Sequence, residues 1–243
     1  MNILTPTYKP YGNAALLIEW PANIAPEILQ DIQCFVEKIE RAKIEAIREL
    51  NFVYHSLLIV FDPEIIGYED LKQDLENIYQ QEDIYFPKQK TLYNIPVCYA
   101  SNFGLDLDFL AKEKQCSIQE IIRLHTEATY TVYGIGFLPG FLYLGGLSPK
   151  LHFPRRSNPR LNVVKGAVGI GGEQTGIYPQ STPGGWHIIG NSPISFFNPN
   201  NSPPCFVKVG DAIRFFEIDL VSHIRIFGEG RKGTYKIKQE DNP

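Results

Sequence analysis

The residues best suited to chemistry lie between Tyr133 and Gly190. The run FPRRSNPR brings Arg155, Arg156 and Arg160 together, and Lys165, Gln174, Tyr178 and Trp186 follow at short intervals among glycines. A guanidinium is a planar, permanently charged fork that matches a carboxylate or a phosphate. This set suits a lined polar cleft; the plainer reading is a glycine-rich sheet domain with a solvated rim. The histidines stand elsewhere. His125 continues the apolar stripe of Ile118, Ile121 and Ile122 on an expected helix, where a lone histidine more often packs than catalyses. His55 sits between two β-rich runs and reads as a turn residue.

Other chemistries lack their residues. Ser117 reads as a helix cap, and the chain contains no G-x-S-x-G elbow. Gly134-Ile135-Gly136 opens no dinucleotide fingerprint, because position 139 is proline and no helical pattern follows. A G-x-x-x-x-G-K-[ST] phosphate loop, an H-E-x-x-H helix and an acid–histidine group at metal-ligand spacing are likewise missing from the sequence. Cys34, Cys98, Cys116 and Cys205 are scattered and read as free thiols of a reducing compartment. A formal net charge of -4 argues against a general nucleic-acid binder. No run approaches the roughly 18 apolar residues of a membrane span, so a cytoplasmic protein is expected.

The elements that must position these residues follow from hydrophobic period and turn chemistry. Ala14 to Glu19 predicts a strand, and Ile28, Leu29, Ile32, Phe35, Val36 and Ile39 predict a helix over 27–42. Two β-runs, Ile47 to Tyr54 and Ser56 to Phe61, precede a helix marked by Tyr68, Leu71, Leu75 and Ile78. One further strand would complete a β-α-β-β-α-β pattern, either near Ile84-Tyr85 or at Tyr93 to Tyr99, where Pro96 suits an edge or a strand start. Leu105 to Ala111 predicts a short helix, and Ser117 with Glu120 caps another that runs to about Ala128. Beyond it, short β-runs alternate with Gly/Pro turns: 130–137, 141–144, 162–164, 167–170, 176–178, 186–189, 194–197, 206–209 and 212–217. That spacing predicts a closed or nearly closed barrel. After Ile226 the chain turns polar, as a tail or a short edge strand does. The change in texture places a domain boundary between Tyr85 and Pro96, giving domains 1–89 and 90–243.

Several longer motifs carry a family resemblance. They are Ser56-Leu57-Leu58, Ile95-Pro96-Val97-Cys98-Tyr99, His125-Thr126, Tyr133 with Gly136-Phe137-Leu138-Pro139-Gly140-Phe141, Pro154-Arg155-Arg156 with Pro159-Arg160, Gly176-Ile177-Tyr178-Pro179, and Pro183-Gly184-Gly185-Trp186. With them the chain from Tyr11 to about Phe227 resembles the family variously called 5-oxoprolinase B subunit, allophanate hydrolase subunit 1 and KipI-type inhibitor of a sporulation histidine kinase. Two positions depart from its pattern: Asn13 stands for Asp after Gly12, and Leu105 for Pro before Asp106-Leu107.

The resemblance implies an α+β protein, a ferredoxin-like α/β domain followed by a cyclophilin-like β-barrel. Prolyl isomerase activity does not travel with that fold. It also implies a hetero-oligomer. A second barrel, of the 5-oxoprolinase C-subunit type, and a LamB/YcsF-type protein, its A subunit, would join this chain in the ATP-dependent opening of 5-oxoproline to L-glutamate. The two barrels together resemble the carboxyltransferase part of urea carboxylase. ATP belongs to the complex, with no site assigned on this chain. In that chemistry His125 would shuttle a proton and Arg160 would act as a catalytic cation. Arg155, Gln174, Tyr178 and Trp186 would bind substrate, with Trp186 as an apolar wall, while Arg156 would serve a surface salt bridge. Arg160→Ala would then leave the thermal midpoint nearly unchanged. Two other functions share the resemblance: inhibition of a histidine kinase through protein contact, and action on a urea-derived amide.

Overall fold

A computed structural model of the chain describes residues 4–82 and 90–242. These residues divide into two compact units on either side of residues 83–89. The first contains β1 (Thr7–Pro10), β2 (Ala15–Glu19), α1 (Pro26–Ala42), β3 (Ile47–Val53), β4 (Ser56–Phe61) and α2 (Tyr68–Gln80). Its strands form an antiparallel sheet in the order β1-β2-β4-β3. Pro26 opens α1, where its missing N–H costs no helical bond. Leu16 and Ile18 of β2 and Leu57, Ile59 and Phe61 of β4 alternate with solvent-side residues and meet Ile32, Phe35 and Ile39 of α1 and Leu71 and Leu75 of α2.

This is the ferredoxin-like sheet with one exchange. The edge beside β2 is taken by β1, from the segment before it, and not by a strand following α2. Three of the four residues of β1 are exposed, so it carries no apolar alternation to betray it. Of the two placements predicted for the missing strand, Tyr93 to Tyr99 belongs to the second unit, and Ile84-Tyr85 lies outside the described residues.

The second unit runs β5 (Lys90–Cys98), α3 (Leu107–Lys114), α4 (Ile118–Glu127), β6 (Thr129–Ile135), β7 (Leu142–Gly145), β8 (Arg160–Val163), β9 (Ala167–Gly171), β10 (Gln174–Ile177), β11 (Thr182–Gly184), β12 (His187–Asn191), β13 (Ala212–Ile218), α5 (Leu220–Arg231) and β14 (Lys238–Asn242). Seven of these strands close a barrel in the order β5-β13-β6-β7-β10-β9-β12, the ring being completed where Asn191 faces Cys98. β8 and β11 form a separate two-stranded ribbon. The α+β, cyclophilin-like architecture implied by the family motifs is present.

Two expectations are corrected here, and a third is resolved. β5 is an interior strand, parallel to β13 on one side. On its other side β14 pairs residues as far as Asn94 and β12 pairs Cys98, so Pro96 falls between two partners, where a missing donor is tolerated. The runs 194–197 and 206–209 are not ladder strands. They enter the core as extended chain punctuated by Pro193, Pro203 and Pro204, with Phe196 stacked on Phe206 at 5.5 Å. The polar end of the chain, expected as a tail or a short edge strand, continues helix α5 to Arg231 and then does supply a short edge strand, β14, which pairs with the first half of β5.

Candidate functional site

The barrel wall is dressed differently on its two sides. Inward residues of β7, β9 and β10, such as Leu142, Leu144, Val168, Ile170 and Ile177, fill the core. On the outward side the alternate positions Gly169, Gly171 and Gly176 carry no side chain, and the indole of Trp186 lies over them. A Cβ at Gly171 would come within 2.5 Å of Trp186 Nε1, and one at Gly176 within 2.9 Å of Cζ3. The glycine-rich sequence thus makes a floor for one large ring. Around it Phe141 packs edge-on at 5.5 Å, Tyr178 meets Phe141 at 5.3 Å, and Tyr143 completes an outer aromatic cluster.

This cluster forms the base of an open cup of about 220 Å³, lined by Phe137, Phe141, Tyr143, Tyr178, Trp186 and the loop carrying Arg155, Arg156 and Pro159. That loop is tied to the facing loop by the Arg156 N–H donating to the Gly185 carbonyl at 2.7 Å. Arg155 is exposed, and its guanidinium stands 5.7 Å above the Trp186 ring. Among the described residues no carboxylate pairs with it. Burial raises the pKa of Tyr143 and of Tyr178, with Arg155 pulling both the other way, so both hydroxyls stay protonated and able to donate. The cup therefore offers a flat aromatic wall, hydroxyl donors and a cation without an acid partner, and its lining contains no acid and no nucleophile–base pair.

The rim contains a backbone outlier. Phe137 has φ +61°, and the Leu138 N–H donates across it to the Gly136 carbonyl at 2.7 Å. A three-residue turn with a positive central φ is the rare, strained form, and conformations of this kind cost about 1–3 kcal/mol. Its ring nevertheless stands 63% exposed, edge-on to Phe141 at 5.7 Å.

Behind the cup Asp106 gathers the other two arginines. Its Oδ1 accepts from Arg160 Nη2 at 2.7 Å and from Arg156 Nη1 at 3.2 Å, and its Oδ2 accepts from the Ile188 N–H at 2.6 Å. The carboxylate side chain is 5% exposed. Arg160 lines a different cavity, of about 100 Å³, with Asn102, Asn162 and Asn191. It is bound to a buried carboxylate, so its loss would not be the silent change that its place after a turn predicts.

His125 lies on the other side of the barrel wall. It projects from α4 into the interior, fully buried, stacked on Phe215 at 4.6 Å. Thr175 donates to the Gly169 carbonyl at 3.0 Å, so His125 Nε2–H donates to Thr175 Oγ1 (3.0 Å), and Tyr99 O–H donates to Nδ1 (2.7 Å). Desolvation pushes its pKa down to about 3, so it is a neutral, hydrogen-bonded core residue. Gln174 is buried at the start of β10, on the outward row of Gly176 by strand alternation, but does not line the cup. Of the six residues singled out from the sequence, the structure brings Arg155, Tyr178 and Trp186 together, holds Arg160 nearby through Asp106, and sets Gln174 and His125 apart. Sequence reasoning missed Phe137, Phe141, Tyr143 and Asp106 as parts of this site. The aromatic alternation of 141 and 143 was visible, whereas the role of Asp106 depends on contacts some fifty residues away.

Residues 6–207 match the family described as carboxyltransferase domain, subdomain C and D. The chain thus falls in the carboxyltransferase-domain class. The chain is 36% identical over 217 residues to the 5-oxoprolinase B subunit of Bacillus subtilis, a match that covers 85% of this chain and 90% of that protein. The crystal structure of TTHA0988 superposes with a TM-score of 0.73 at 29% identity over 84% of this chain, which spans only 40% of that longer one. Urea carboxylase of Kluyveromyces lactis shares the fold, with a TM-score of 0.84 at 21% identity, over 98% of this chain and 24% of its own. The chain belongs to the 5-oxoprolinase B-subunit family.

Proposed function

We propose that this chain is the substrate-binding barrel of a multi-subunit, cytoplasmic 5-oxoprolinase, which opens 5-oxoproline to L-glutamate at the expense of ATP. A barrel of the 5-oxoprolinase C-subunit type and a LamB/YcsF-type A subunit are its partners. One observation carries the reading: Arg155, a guanidinium with no acid partner among the described residues, hangs over the Trp186 face at the mouth of a small aromatic cup. A five-membered lactam acid is a flat ring bearing one carboxylate. Its ring fits against the indole, its carboxylate matches the Arg155 fork, and its carbonyl oxygen accepts a hydrogen bond from a protonated tyrosine. Hydrolysis breaks the ring C–N bond and adds water across it, and the cup supplies no base or nucleophile for that step.

ATP does not fit this cup. A triphosphate calls for several cations or a nest of backbone N–H groups. Arg156 and Arg160 are engaged by Asp106, and a cavity of about 220 Å³ is below the roughly 300–1,000 Å³ of sites for larger ligands. Phosphoryl chemistry accordingly belongs to the partner proteins, and this chain's part is to bind and orient the lactam. The test is glutamate release from 5-oxoproline and ATP, first with the purified chain and then with both partners. Negligible release by the chain and full turnover by the complex are expected. Robust turnover by the chain alone would overturn the shared-site reading, and a verified complex inert toward 5-oxoproline would overturn the substrate.

A further inference from the structure

We infer that Phe137 is the cap of the cup: its ring closes over the bound lactam acid and limits the size of ring that is accepted. The inference rests on the cup being the substrate site. Three observations meet at this residue. The first is its backbone, held at φ +61° inside a three-residue turn, a conformation that favours glycine. Glycines stand close by at 136 and 140, yet the outlier falls on the bulkiest residue of the loop.

The second is exposure. A strained aromatic in a core is held by its packing, but this ring is 63% exposed, with one edge-on contact to Phe141. Folding gains little from placing it there. The third is rigidity. Gly136 N–H donates to the Phe141 carbonyl (3.1 Å), Phe141 N–H donates to the Leu138 carbonyl (2.9 Å), and Gly140 at φ +83° leaves no room for a Cβ, which would stand 2.7 Å from Phe197 Cβ. The turn is therefore a fixed bracket that presents an apolar ring at the mouth of the cup. Trp186 forms the floor, Arg155 the charged side, and Phe137 is placed to form the upper face of the ligand site. An aromatic face above and below suits a flat ring and resists a thicker one.

The experiment is isothermal titration of the complete chain with 5-oxoproline and with its six-membered homologue, 6-oxopiperidine-2-carboxylate. Wild type, Phe137→Gly, Phe137→Tyr and Arg155→Ala are compared, with a thermal midpoint for each. Phe137→Gly is expected to keep or raise the midpoint, because glycine relieves the strained φ. It should weaken 5-oxoproline binding by about fivefold or more and narrow the preference for the smaller ring. Phe137→Tyr should bind within about twofold of wild type, since it keeps the ring face. A lowered midpoint in the glycine variant would make Phe137 a structural residue and overturn the cap. Unchanged affinity and ring preference in that variant, with Arg155→Ala impaired, would overturn the cap and leave the cup standing. Absence of wild-type binding, or wild-type affinity in Arg155→Ala, would overturn the cup and the cap with it.

Discussion

Turning the Asp106 carboxylate into an amide would remove the charge between two guanidiniums and leave one acceptor oxygen where two now accept from Arg160, Arg156 and the Ile188 N–H. Asp106→Asn is therefore expected to cost on the order of 3 kcal/mol, the lower end for breaking a buried pair, because Arg156 and Arg160 keep some contact with water. Arg160→Ala leaves the carboxylate with Arg156 and should cost less, about 1–2 kcal/mol. Denaturant titration of both variants measures this, and wild-type stability in Asp106→Asn would contradict the hub. His125 makes a prediction in pH. Its folded pKa is about 3, against 6.5 when unfolded, so below pH 6.5 the unfolded chain binds a proton that the folded chain refuses. The contribution is complete above pH 6.5 and falls as pH drops toward 3, by at most about 1.4 kcal/mol per unit. Between pH 7.5 and 5.5 the wild type should lose about that much more stability than His125→Gln. Equal losses would mean that the ring is protonated in the folded protein.

At the scale of elements, the wall beneath the cup is set by residues that lack side chains. Gly171→Ala would push a methyl group into the indole of Trp186, at an overpacking cost of about 1–3 kcal/mol. In a Trp20→Phe background the emission of Trp186 should shift in the alanine variant; an unshifted spectrum would deny the contact. The helices α1, α2 and α4 were legible because each has one apolar stripe, and for α4 because Ser117 accepts from the Glu120 N–H at 3.1 Å. Helix α5 was not. It buries His223 and Ile226 on one side while Leu220, Val221, Ile224 and Phe227 are exposed on another, so no single stripe stands out, and Gly228 and Gly230 imitate a loop. β1 escaped for the opposite reason, being an exposed edge with no buried alternation.

At the scale of the whole molecule, the barrel closes because strands far apart in sequence return to one ring, while the β8–β11 ribbon outside that ring and the Arg156 N–H on the Gly185 carbonyl bring Arg155 of one loop over Trp186 of another. The composition of the Tyr133 to Gly190 stretch suited a polar cleft as well as a glycine-rich sheet with a solvated rim, and Arg155, Tyr178 and Trp186 lie together at one cup. Sequence could not say that Arg155 has no acid partner among the described residues, since that depends on Asp106 reaching Arg156 and Arg160 instead. The stripe on α4 did mark His125 as a packing residue, and it faces the interior; what a stripe cannot show is that Tyr99, Thr175 and Phe215 lie opposite. The claim that the cup binds the substrate carboxylate through Arg155 is tested most directly by kcat/KM for 5-oxoproline in the reconstituted complex, comparing wild type with Arg155→Ala and Arg155→Lys. The alanine variant should assemble normally and lose tenfold or more, about 1.4 kcal/mol, chiefly in KM, while lysine recovers only part of the loss because a point charge lacks the planar fork. Wild-type kinetics in an assembled Arg155→Ala complex would contradict the account.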